Sequence, residues 1–312
     1  MMISRYILLV SIVILVVVGV NTSFAQIGGE KIVATRTNDE GNYSVGSTQL
    51  LGRHAGPVTK SSVTSNASDG MLIERRVMFD EAITWATSKE EADRILDRLK
   101  AAGINVYIPC VWHGRGTFYP SNLNKADPRL AKTVASGQDM LAYLIKRAHG
   151  MGIQVHPWFV VALREDNMFP EFAEEGTPTG TSNVHNSKFR VFIHDIMMDV
   201  VKRYEVDGVN LDYVRSGGFC LSEFCIDDYR KKFDRSLQAD LLLRKIPGYR
   251  VDSLGKWNQG AINEIVRNFS SEAKRVRPNL VISVDAHPLD PSRELEGQDS
   301  VTWVNNDWVE VI

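Results

Sequence analysis

Residues 204–215, YEVDGVNLDYVR, decide the fold. They close an amphipathic helix, turn on Asp207-Gly208 and enter a short strand at 209–214. Successive strand side chains point to opposite faces, so Asn210 and Asp212 share one face while Val209, Leu211 and Tyr213 share the other. A polar face is out of place in a strand covered on both sides. It fits one whose C-terminal end opens inward onto the mouth of a barrel, where such folds keep their chemistry.

Outward from this strand the same unit repeats. Apolar runs predict strands at 76–83 (RVMFDEAI), 104–112 (INVYIPCVW), 153–161 (IQVHPWFVV) and 280–287 (LVISVDAH), with a sixth beginning at 309. Helices are expected at 88–102, opened by the capping box Ser88-Lys89-Glu90-Glu91, and at 138–149, 188–204 and 256–276. Residues 219–252 read as an insertion with one short helix at 222–233, and a further short helix is expected at 299–306. Strands and helices alternating at this spacing predict parallel β/α units. The expected fold is therefore α/β, of the (β/α)8 TIM-barrel type, with about six units present and a domain over 71–312 that is incomplete at its C-terminal end. An open doubly wound sheet is the alternative, but its Gly-rich phosphate turn is absent after the first strand.

Several stretches resemble the glycosyl hydrolase-like family 10 domain over about 75–312. These are ILDRLKAAGINVYIP at 95–109, FYPS at 118–121, GIQVHPWF at 152–159, VDGVNLDYVR at 206–215 and QDSVTWVNNDWVEVI at 298–312. The resemblance implies an exported barrel related to glycoside hydrolases, and two further units after the sixth strand.

Upstream, residues 1–25 read as a signal peptide: Arg5 precedes the apolar run 7–20, and Ser23-Phe24-Ala25 suits cleavage after Ala25. The alternative is an uncleaved anchor through residues 6–25, which would tie the protein to a membrane. Either way the remainder is exported, to a secreted or periplasmic location. Residues 26–70, rich in Gly, Ser, Thr and Asn, are expected to form a flexible polar segment. The whole chain has 312 residues, 44% apolar and 24% charged, with a formal charge of −2. No basic stripe marks a nucleic-acid partner.

Glycoside hydrolysis needs two carboxyl groups, one to protonate the departing oxygen and one to attack or to activate water. Asp212, at the inward C-terminal end of its strand, is the first candidate, with an ion pair to Arg215 as its alternative role. Asp285 is the second: Ser283, Asp285 and His287 alternate on one face of the next strand, although Asp285 could equally be a buried group held by Arg215. Asp80, Glu165 and Asp166 are weaker candidates. Trp112 and His113, His156 and Trp158, Tyr213 and Arg215, and His287 supply the aromatic and donor groups that a sugar site needs. His156 could instead be a core histidine, and Arg115 on the second loop either binds an anionic substituent or, as an exposed arginine by default does, faces solvent.

The scattered histidines show no metal-ligand spacing, and neither metal nor cofactor is expected. Cys220 and Cys225 bracket the insertion and suit a local disulfide in an exported protein, leaving Cys110 as a buried thiol. Two functions remain open. One is hydrolysis of a polysaccharide or oligosaccharide substrate by Asp212 and Asp285; the other is a barrel module that binds glycans without cleaving them.

Overall fold

The computed structural model describes residues 74–165, 168–287 and 295–312, together with the backbone of strands at 23–27, 30–36 and 43–46. Two units result, 1–67 and 68–312. In the first, β1 (Ser23–Ile27), β2 (Glu30–Arg36) and β3 (Tyr43–Gly46) form an antiparallel sheet in chain order. Regular structure thus occupies part of the stretch expected to be irregular. Of the expected signal peptide at 1–25, residues 1–22 lie outside the described residues; among those described, no helix is long and apolar enough to cross a membrane.

The second unit is built on parallel strands. They are β4 (Val77–Asp80), β5 (Val106–Trp112), β6 (Gln154–Val155), β7 (Trp158–Val160), β8 (Gly208–Asp212) and β9 (Val281–Val284). Their spatial order is β4-β5-β7-β8-β9, with β6 also on β5. Space therefore follows sequence without reversal, as in a singly wound (β/α) barrel and unlike a doubly wound sheet. The expected sixth strand is reduced to a parallel bridge between Ser283 and Val311. The expected third strand is divided in two by His156-Pro157, since proline cannot donate to the ladder.

Helices α1 (Lys89–Ala101), α2 (Ala131–Ala135), α3 (Met140–Gly150), α4 (Ser187–Arg203), α5 (Glu223–Phe233), α6 (Leu237–Leu243), α7 (Asp252–Val276) and α8 (Ser300–Asn305) complete the unit. Their starts follow side-chain chemistry: Ser88, Asp139, Asn186 and Ser222 each accept a backbone N–H in the first turn of α1, α3, α4 and α5. Each long helix turns an apolar stripe inward, such as Ala92, Leu96 and Leu99 of α1, or Ile262, Ile265, Val266 and Phe269 of α7. Removing each large side chain of this kind from water contributes about 1.5–3 kcal/mol. The insertion after β8 holds two helices rather than one, around a small core of Cys220, Cys225, Tyr229, Leu237, Leu254 and Trp257.

Gly208 opens β8 because nothing larger fits. A Cβ there would stand 2.5 Å from His156 Nδ1 and 2.6 Å from the Val281 carbonyl oxygen. Gly208→Ala is expected to cost about 1–3 kcal/mol through this overpacking, read as a lower thermal midpoint. An unchanged midpoint would show that the strand gives way without strain.

Candidate active site

The parallel registers bring one level of inward side chains together. Cys110 of β5 pairs with Trp158 of β7, Trp158 with Asn210 of β8, and Asn210 with Ser283 of β9. The Asn210 amide donates to Ser283 Oγ at 3.0 Å, which satisfies two polar groups that are buried here. Two residues further along each strand, toward the C-terminal ends, stand Asp212 and Asp285. The Asp285 N–H donates to the Leu211 carbonyl at 3.0 Å, so the ladder still holds the two acids side by side.

Electrostatics then separate them. Burial pushes the Asp285 carboxyl up to about 7; the charge of Asp212 adds to the rise and the Asn210 amide opposes it. Burial also raises Asp212, but by less. The Tyr213 N–H, the Arg215 guanidinium and the Trp158 indole all favour its charged form. The Tyr213 N–H reaches Asp212 Oδ1 at 2.6 Å. Of the two, Asp212 ionises first and leaves Asp285 as the proton holder. Because they interact, the steps belong to the pair.

Tyr213 does not continue the strand. It adopts a left-handed conformation with φ of +48°, uncommon for an aromatic residue and characteristic of functional turns. The turn returns the Tyr213 N–H to Asp212. It also sets the Tyr213 ring 4.3 Å from the Arg215 guanidinium, in a cation–π contact. Arg215 meets His287 at Nε2, and the other ring nitrogen, Nδ1, lies 2.9 Å from a Glu296 carboxylate oxygen. Gln298, fully buried, accepts the His287 N–H at 2.8 Å and fixes the chain that leaves Asp285. Glu296 and Gln298 come from the segment after β9 and carry no local signal in the sequence.

Two expected substrate contacts lie elsewhere. Trp112 does not reach the mouth: a register shift between Cys110 and Trp112 aligns it with the outward Phe159. Its ring packs on Phe169 and on Phe192 of α4, at 5.5 and 5.6 Å. His156 shares the inward face with Trp158 but lies one pleat deeper, against Gly208 at the start of β8. Burial pulls its imidazole down to about 4, so it sits neutral in the core near the closed end. Trp158 stays on the inner face, edge-on to Phe79 at 5.8 Å, with its indole N–H buried and close enough to Asp212 to favour the charged carboxylate.

The remaining candidates divide in the same way. His113 Nε2 meets Glu81 at 2.8 Å on the rim, and the charge of Glu81 is felt by Asp212. Glu81, in the loop directly after β4, rather than its neighbour Asp80, is thus the carboxylate that this part of the chain adds to the site. Asp80 instead accepts the Tyr107 hydroxyl and the Ala82 N–H. Arg115 is held by Asp127 and Glu165, and Asp166 lies outside the described residues. Asp207 accepts from His149 and from the Val155 N–H at the opposite end of the sheet. Cys220 and Cys225 form a disulfide; Cys110 is a buried thiol. Among the described residues, no cluster of three or more His, Cys, Asp or Glu could hold a metal ion.

Fold and site define a singly wound β/α protein with a half-buried carboxylate pair at the strand ends. The chain belongs to the glycosyl hydrolase-like 10 family, whose model matches residues 76–312. It is similar to α-L-fucosidase isoenzyme 2 from Paenibacillus thiaminolyticus, at 17% identity over 72% of this chain and 34% of that one, with a TM-score of 0.44. It is also similar to the α-galactosidase from Lactobacillus brevis, at 12% identity over 68% of this chain and 27% of that one, with a TM-score of 0.45. A hypothetical protein from Ruminiclostridium thermocellum matches at 18% identity over 67% of this chain and 96% of that one, with a TM-score of 0.39. The chain therefore spans 34% and 27% of the lengths of the first two. No curated protein matches the sequence.

Proposed function

We propose that this glycosyl hydrolase-like protein cleaves glycosidic bonds in an extracellular or cell-envelope polysaccharide. Asp285 protonates the departing oxygen and Asp212 acts as the charged partner. The observation that carries this reading is the pair of inward carboxyl groups on adjacent strand ends, one of which holds its proton to about 7. Trp158, Tyr213, Arg215 and His287 surround the pair with an aromatic face and hydrogen-bond donors, which suits sugar hydroxyls and C–H faces. The disulfide between Cys220 and Cys225 supports an exported location, since such bonds persist in oxidising compartments.

Adjacent parallel strands run about 4.8 Å apart. Two acids at one level on such strands suit the roughly 5–5.5 Å separation of a retaining enzyme better than the roughly 6.5–9.5 Å of an inverting one. Hydrolysis of a panel of polysaccharides, followed by proton NMR of the first-formed sugar, is expected to give a product with retained anomeric configuration. Inversion would reject Asp212 as the attacking group; binding without any cleavage would reject the enzyme in favour of a glycan-binding module.

A further inference from the structure

The parallel ladder between β8 and β9 is regular as far as Leu211 and then breaks. The Val281 N–H donates to the Asp207 carbonyl and the Asp285 N–H to the Leu211 carbonyl. The next rung would therefore join the peptide groups of Tyr213 to the Asp285 carbonyl and the His287 N–H. Tyr213 has left that rung. Its N–H goes to Asp212 Oδ1 at 2.6 Å, and its carbonyl accepts from Ala162, after β7, at 3.1 Å. Its positive φ makes the turn.

A side chain fills the open rung. Gln298 Oε1 accepts the His287 N–H at 2.8 Å, and Gln298 Nε2 donates over a longer 3.5 Å to the Asp285 carbonyl. A primary amide carries the same donor and acceptor as a peptide, so it can complete both halves of the rung. Gln298 is fully buried, where an amide needs such partners. The next residue, Asp299, caps α8 and accepts from Asn263 of α7, which fixes where Gln298 leaves the chain.

We infer that Gln298 is a positioning residue for the carboxyl pair: its side-chain amide takes the place of the Tyr213 peptide between β8 and β9, which frees the Tyr213 N–H to hold Asp212 as the charged member. The inference rests on the hydrolase reading for the roles of the two acids. Without the Gln298 amide, the Asp285 carbonyl and the His287 N–H lose their partner, which is costly away from water. The Tyr213 peptide is the group that a continued ladder would supply, and an extended Tyr213 would also shed its uncommon positive φ. Asp212 would then lose its backbone donor. Burial raises the Asp212 carboxyl, and the Tyr213 N–H is the largest of the influences that oppose this. The other titratable or charged groups here are Asp285, Arg215 and Glu81 near Asp212, Cys110 of β5, and His287 with Glu296 where the chain leaves Asp285. Gln298 is neutral, so replacing it removes none of these charges.

The test is an NMR titration of the aspartate carboxyl carbons in the whole chain, with Asp212 and Asp285 assigned from their asparagine variants. In Gln298→Met the lower step of the pair is expected to rise by about one pH unit, which narrows the gap to the upper step. On a cleaved substrate the acid limb of kcat/KM should move by the same amount while KM stays within about twofold. A role in stability alone would lower the melting midpoint and leave the gap as it was; that result overturns the inference. Gln298→Asn, whose amide falls one methylene short of the rung, should narrow the gap in the same direction. If neither variant folds, the unsubstituted chain decides: the Tyr213 amide proton shift should follow the lower step, and a Tyr213 amide indifferent to it overturns the inference. Because the titration needs no turnover, the two readings fail separately. A narrowed gap in a chain that cleaves no glycan sinks only the hydrolase, whereas cleavage by the unsubstituted chain with an unmoved gap in Gln298→Met sinks only the positioning role.

Discussion

Asp212→Asn is expected to lower kcat on the protein's glycoside substrate by a thousandfold or more while KM stays within a fewfold, because the lost charge acts mainly in the transition state. Asp285→Asn should lower kcat by about 10^2–10^4, the usual worth of a positioned acid. The two losses differ in kind. An aryl glycoside with a stable phenolate leaving group needs no proton in the first step, so in kcat/KM it should recover most of the Asp285→Asn deficit and none of the Asp212→Asn deficit, while the second step, which needs Asp285 as base, stays slow. The pH profile follows from the same geometry. With Asp285 raised to about 7 by burial and by its charged neighbour, kcat/KM of the unsubstituted protein should fall on the alkaline side near that value. That limb should vanish in Asp285→Asn assayed on the aryl substrate. Steady-state kinetics on both substrate types decide the matter: equal losses of kcat/KM on both for Asp285→Asn would remove it from the acid role, and undiminished kcat for Asp212→Asn would remove the mechanism.

How far the site could be read in advance depended on the range of the interactions. Period and capping chemistry are local, so Ser88 opened α1 where expected and Asn210 and Asp212 shared a face. Strand order then made Asp285 a neighbour of Asp212 without any contact being known. Trp112 shows where alternation fails: one extra residue in β5 between Cys110 and Trp112 reverses the face of everything after it, and no residue there announces a bulge. His156 shows a different gap. Its face was right, but a period of two carries no depth, and one pleat separates the mouth from the core. Glu81, Glu296 and Gln298 reach the site from loops, where neither period nor spacing fixes direction. Tyr213 lost its place on the apolar face for a conformational reason, because its positive φ ends the alternation at Asp212.

Asp285 should also make the fold least stable at high pH, and Asp285→Asn should relieve this. In an unfolded chain an aspartate gives up its proton near 4, whereas in the fold Asp285 keeps it to about 7. Between those values the native state binds more protons than the unfolded one, so the stability linked to Asp285 is complete below about 4, declines as pH rises through about 7, and stays reduced above it. A displacement of this size corresponds to an upper limit on the order of 4 kcal/mol. Asparagine fills the same volume and never ionises. The variant should therefore melt several degrees higher than the unsubstituted protein at pH 8, and match or fall below it at pH 4.5, since a domain of this size gains about 2–4 °C per kcal/mol. Thermal melts at the two pH values separate this from simple repacking, which would move both midpoints alike. The raised acid that donates a proton to a leaving group is the same half-buried charge that weakens the native state, so the substitution that stops the chemistry should stabilise the protein. An Asp285→Asn melting difference independent of pH would mean that Asp285 ionises as an ordinary carboxylate, and the proton for the leaving group would have to come from Glu81 or Glu296.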